Sequence, residues 1–110
     1  MNGVELREKK GGKFWFRLHL THEMTETSID ALDLTVRAYH SLKRAGYNTI
    51  GDVANAIAAG QELKNIRNCG TKSAREIMES LFLYQYHALK PERQEAYLDE
   101  VTILNLEKNR

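Results

Sequence analysis

Residues Ile66-Arg67-Asn68-Cys69-Gly70-Thr71-Lys72-Ser73 place a glycine, two hydroxyl side chains and a lysine where a helical pattern begins. The first N–H groups of a helix have no partner inside it, and the helix dipole adds about half a positive charge at that end. Glycine lets an anion approach the backbone closely, Lys72 supplies a full charge and Ser73 a hydroxyl. This is chemistry suited to a phosphate. A Gly–Thr turn that merely caps its helix uses the same residues, and on chemistry alone the two readings stand level.

Arg37 and His40 lie one turn apart on the same face of an earlier helical pattern, and together they could reach DNA beside this hairpin. The plainer readings are an Arg37 paired with Asp33 and a His40 that is simply an exposed polar residue. Other chemistries find less support. His22-Glu23 lacks the second histidine of a zinc-protease helix, and His19, His22 and Cys69 make no metal set. Cys69 stands beside a helix N-terminus that could lower its pKa, but with no partner base a structural thiol is the better reading. Phe14-Trp15-Phe16 could stack on bases, although a buried edge-strand cluster packed on a C-terminal helix suits it better. No paired carboxylates and no glycine-rich nucleotide loop occur, so neither a cofactor nor an enzymatic reaction is expected.

Short helices must position these groups. Ser28 suits the N-cap of a turn over residues 29–32, and Thr35 that of a helix with Val36, Tyr39 and Leu42 at three-residue spacing, stopped by Gly46. Thr49 caps a helix from Ile50 to about Ala59, with Gly60 as its stop, and a helical piece follows over residues 62–65. Thr71 is read as the cap of a long helix lined by Ala74, Ile77, Met78 and Leu81. Pro91 opens a last helix with the stripe Tyr97, Val101 and Leu104. Ahead of all this, residues 1–13 read as a polar, flexible arm, and the alternation around Phe16, Leu18 and Leu20 predicts a strand over 14–20. Its one evident partner is the stretch 101–104.

The 110 residues suit a single domain with a modest core, and the net charge of +1 means that any nucleic-acid binding must be local. Positive charge does gather early, since residues 1–17 carry a surplus of three. One cysteine forbids an internal disulfide, no apolar run nears the roughly 20 residues of a membrane helix, and the N-terminus lacks a signal-peptide core. A soluble cytoplasmic protein without membrane contact is expected.

The run Asp33-Leu34-Thr35-Val36-Arg37-Ala38-Tyr39-His40-Ser41-Leu42-Lys43-Arg44-Ala45-Gly46-Tyr47-Asn48-Thr49-Ile50-Gly51-Asp52-Val53, resumed at Asn68-Cys69-Gly70-Thr71-Lys72-Ser73 and Glu76-Ile77, resembles the C-terminal domain of the bacterial RNA polymerase alpha subunit. The segment between, 54–67, is about two residues longer than in familiar members. The resemblance implies a mainly α fold: a compact bundle of four to five short helices with two helix–hairpin–helix motifs. To this are added a short N-terminal strand and an extra C-terminal helix. It divides the sequence into an extension (1–27), the domain proper (28–85) and a C-terminal helical extension (86–110).

The resemblance further implies a non-catalytic module that docks in the A·T-rich minor groove of duplex DNA and modulates transcription. Its DNA contacts fall on Arg37, His40, Ser41, Asn68, Gly70, Lys72, Ser73 and Glu76, and the family's sigma-factor contact falls on Asp33. An arginine in a narrow, electronegative groove with amides and a lysine on the phosphates fits that picture. His40 and Ser41 stand where the family often has asparagine and cysteine, so binding is expected to be pH-sensitive. Thr71 stands where a basic residue is common, which lowers the salt slope by about one unit and implies weak affinity. The alternative is a protein-interaction adaptor with little DNA affinity, contacting polymerase, sigma factor or an activator through Asp33 or the terminal segments.

Overall fold

Two glycines with left-handed backbone, Gly46 at φ +90° and Gly60 at φ +98°, end the first two long helices. The computed structural model describes residues 3–7, 15–67 and 69–108. Helix α2 (Val36–Arg44) starts at Thr35, whose Oγ1 accepts from the Ala38 N–H at 3.4 Å. At its end the Gly46 N–H donates to Lys43 O and the Tyr47 N–H to Leu42 O, both at 3.0 Å. That pair of reversed bonds needs a left-handed residue at the turn, which glycine adopts without steric cost. Helix α3 (Ile50–Ala58) closes in the same manner at Gly60. It opens with a full capping box: Thr49 Oγ1 accepts from Asp52 N, and Asp52 Oδ2 accepts from Thr49 N, each at 3.1 Å.

A helix α1 (His22–Glu26) and a 3-10 turn (Ile29–Leu32) precede α2; a second 3-10 turn (Leu63–Asn65) precedes α4 (Thr71–Ala88), and α5 (Pro91–Lys108) follows. The fold is mainly α, with both helix–hairpin–helix units in place, although the second uses a single 3-10 turn as its first arm. Ile29, Leu42, Ile50, Val53, Ile77 and Leu81 have no exposed surface and form the centre, joined by Phe16 and Leu18 from the N-terminal side.

Strand β2 (Trp15–His19) falls within the expected stretch, but its partner does not. It pairs antiparallel with β1 (Gly3–Arg7), with Val4 opposite Leu18 and Leu6 opposite Phe16. The arm expected over 1–13 therefore contains a strand, and the expected partner at 101–104 is helical. Val101 and Leu104 face the core at helical spacing, and they cannot also supply a period-two ladder.

The open edge of β2 is closed by side chains instead. Asn105 accepts from Trp15 N and donates to Trp15 O, both at 2.7 Å; Tyr97 OH donates to Arg17 O at 2.7 Å; Gln85 Oε1 accepts from His19 N at 2.7 Å. Residues 15, 17 and 19 present one edge of a strand, so α4 and α5 take the place of a third strand and leave that edge no template for pairing. Of the aromatic cluster, Phe14 lies outside the described residues; Phe16 is buried edge-on against Phe82 at 5.5 Å, and the Lys108 ammonium lies 4.8 Å from the Trp15 ring centre, both packing contacts.

Candidate nucleic-acid interface

The first bond inside α4 runs from Ala74 N to Gly70 O at 2.9 Å, so the N–H groups of Thr71, Lys72 and Ser73 precede the helical ladder. Gly70, not Thr71, is the N-cap. It is extended (φ −78°, ψ −178°), and this end has no side-chain cap. With Thr71 already inside the first turn, its hydroxyl is not at the capping position. Among the described residues beyond its two chain neighbours, a Cβ built on Gly70 would meet no atom within 4 Å, and its φ is ordinary. Neither fold nor strain demands a glycine there; what it leaves open is room for an approaching group.

Arg37 is brought to this hairpin by a contact between α2 and α4. Both carboxylate oxygens of Glu76 face Thr35: Oε2 accepts from the Thr35 N–H at 2.7 Å and Oε1 from its hydroxyl at 2.8 Å. Thr35 lies two residues before Arg37, and Lys72 lies one turn before Glu76 on the same face of α4. The charge of Arg37 is felt at the Cys69 thiol, where it works against burial. Burial is the larger effect and pushes the thiol pKa up, so the lowered value suggested by the helix end is not realised and Cys69 is a core residue, 2% exposed.

The packing face of α2 differs from the expected stripe. Ala38, Ser41 and Leu42 are buried, whereas Val36 is 71% exposed and Tyr39 only half-buried. This turns Arg37 and His40 outward together and Ser41 inward, where its hydroxyl donates to Arg37 O at 3.0 Å. Ser73 is also nearly buried at 8% exposure, while Gly70, Thr71 and Lys72 are exposed. Asp33 is exposed in a left-handed conformation (φ 54°, ψ 46°) that ends the 3-10 turn. Among the described residues no ion pair joins it to Arg37. Asn68 lies outside the described residues. The structure thus gathers Arg37, His40, Gly70 and Lys72 at the surface, sets Ser41 and Ser73 beneath them, and uses Glu76 as the clamp.

Residues 19–82 match the family of the C-terminal domain of the bacterial RNA polymerase alpha chain. This protein belongs to that family. The match runs from the last residue of β2 into α4 and leaves β1, most of β2 and all of α5 outside it. The DNA-directed RNA polymerase subunit alpha of Rubrobacter xylanophilus is 49% identical over 61 residues, 56% of this chain and 19% of that protein. The corresponding subunit of Cyanophora paradoxa is 44% identical over 59 residues, 54% of this chain and 18% of that protein. That of Carboxydothermus hydrogenoformans is 41% identical over 59 residues, with the same shares. The matched stretch thus spans about a fifth of the length of these relatives. No solved structure matches the sequence. Among the described residues no helix is long and apolar enough to cross a membrane.

Proposed function

We propose that the protein is a non-catalytic DNA-binding module of the alpha C-terminal-domain family that reads duplex DNA and modulates transcription. The observation that carries this reading is the meeting of exposed Arg37 with the uncapped first turn of α4 across the Thr35–Glu76 contact. Arg37 enters an A·T-rich minor groove, whose narrowness strengthens its negative potential. The N–H groups after Gly70 and the Lys72 ammonium hold a phosphate of one strand, fixing register without reading sequence. His40 extends the groove contact, and Asn68, two positions before Gly70 in the sequence, is a further proposed DNA contact. Ser41, Ser73 and Glu76 serve from below by holding α2 and the α4 turn in place.

Action in the cytoplasm and contact with polymerase, sigma factor or an activator through Asp33 complete the proposal. It is supported by membership in a family named for a polymerase subunit. Fluorescence anisotropy with an A·T-rich duplex at low salt tests it: binding that falls in both Arg37→Ala and Lys72→Ala is the expected result. Binding unchanged in both removes this site assignment, and no binding by the parent protein favours the adaptor reading.

A further inference from the structure

Arg37, His40 and Arg44 occur at spacings of three and seven in α2, and all three are exposed. Seven residues is close to two turns, so Arg44 stands on the same stripe as Arg37, about 10 Å further along the axis. Beyond Arg44 the two hairpins leave an open cleft of about 520 Å³ between them, lined by Arg44, Ala45, Tyr47, Gln61, Ile66 and Arg67. Two arginines from different hairpins therefore face one opening, with the half-buried Tyr47 at its side. Among the described residues neither arginine has a carboxylate at ion-pair distance. The neighbouring cations are already engaged: Lys43 donates to Asn48 Oδ1 at 2.9 Å, and Lys64 lies 4.0 Å from Glu62.

We infer that the Arg44–Arg67 cleft is a second phosphate site, holding the DNA backbone beside the groove entered by Arg37. This rests on the DNA-binding reading above and extends its footprint from one hairpin to both. The distance along α2 from Arg37 to Arg44 equals about three steps of a strand rising 3.4 Å per nucleotide, so one duplex can engage both ends of the stripe. Two guanidinium groups suit a phosphate, to which each can donate in parallel. Arginines that donate to phosphate oxygens carry no sequence information, so the contribution of the cleft is independent of sequence. An acidic peptide is the other anion that such a cleft could hold. The shared stripe with Arg37 favours DNA, because a separate protein site would not need to lie in line with the groove-entering arginine.

The test is the salt dependence of anisotropy-measured binding by the full-length protein to one A·T-rich and one G·C-rich duplex. Arg44→Gln/Arg67→Gln should lower the slope of log K against log[salt] by about two units, each lost contact counting about 0.9. The weakening should be equal on both duplexes, and Arg44→Lys/Arg67→Lys should keep most of the slope. Both residues are exposed, and an unchanged thermal melt confirms that the variants are folded. If the parent binds and Arg37→Ala weakens it, yet the double glutamine variant keeps the parental slope, the second site is refuted while the groove site stands. The inference also falls if that variant loses only binding to an oligoglutamate peptide. A parent that binds neither duplex removes both.

Discussion

Glu76 and Thr35 are 41 residues apart in sequence, and the carboxylate of one receives both the N–H and the hydroxyl of the other, at 2.7 and 2.8 Å. The contact ties the N-terminus of α2 to α4 and sets where Arg37 projects relative to Lys72. Bonds to a charged acceptor are each stronger than neutral ones, but here they are solvent-exposed, which reduces their net effect. Glu76→Ala and Thr35→Ala should each destabilise the fold by about 1 kcal/mol, the second partly through loss of its cap. A double-mutant cycle by urea unfolding should give a coupling of at least about 0.5 kcal/mol. Strict additivity would mean that the clamp does not operate.

Gly70 separates stability from function. A serine there can accept from the uncapped N–H groups of the first turn, which stabilises a helix by a few tenths of a kcal/mol over glycine at about the same site. The same side chain occupies the donors and the space proposed for a phosphate, where no described residue beyond the two chain neighbours lies within 4 Å of the added Cβ. Gly70→Ser should therefore melt at or slightly above the parental temperature and bind DNA more weakly. A variant that binds at parental strength would show that the first turn of α4 is only a capped helix end.

Asp52 predicts an acid-dependent stability. Its carboxylate accepts from the N–H groups of Asn48 and Thr49 at 3.0 and 3.1 Å, and these bonds hold its pKa below the ordinary value, the Asn48 bond being the larger cause. A depressed folded-state pKa means that the ionised form favours the folded state. The stabilisation is complete above the ordinary carboxylate pKa of about 4 and is lost as pH falls through the lower folded value. Asp52→Asn should lower the melting temperature at pH 7, with the gap closing in acid below that window. A gap that is constant with pH would show that charge plays no part.

Gly51 reports on α1. A Cβ at this position would lie 2.5 Å from Thr25 Cγ2 and 2.7 Å from Thr25 O. Removing the methyl of Thr25 leaves the clash with a backbone carbonyl in place, so Gly51→Ala must push α1 away from α3. Overpacking of this kind costs about 1–3 kcal/mol. Thermal melts of Gly51→Ala with and without Thr25→Ser should both show the loss; full rescue by the serine would place the close approach in the side chain alone.

Much of the helical layout is legible in the sequence because local chemistry decides it: Thr35 and Thr49 cap, Gly46 and Gly60 stop, and Ile77 and Leu81 mark a core face. Helix α1 is not legible, since five residues with one buried side chain, Met24, have no periodicity to detect. The partner of β2 is obscured although Val4-Glu5-Leu6-Arg7 alternates, because the charges and glycines that follow give the whole segment the composition of a polar arm. The face of α2 departs from expectation because Val36 and Tyr39 are apolar by type, whereas the small residues Ala38 and Ser41 pack better where the helices approach closely. At the site, Arg37 and the hairpin stand out in the sequence, but the Thr35–Glu76 clamp is a long-range contact with no local signature. The spacing of Arg37 and Arg44 is present in the sequence; the approach of Arg67 to Arg44 requires the fold.

Arg37 and the first turn of α4 are proposed to form one DNA-binding surface. An amide NMR titration of the full-length protein with an A·T-rich duplex addresses it residue by residue. Shifts should concentrate at residues 37–40 and 70–73, extend to 44 and 67, and be absent in Arg37→Ala at the same duplex concentration. Shifts confined to other surfaces, or a spectrum unchanged by saturating duplex at low salt, would contradict it.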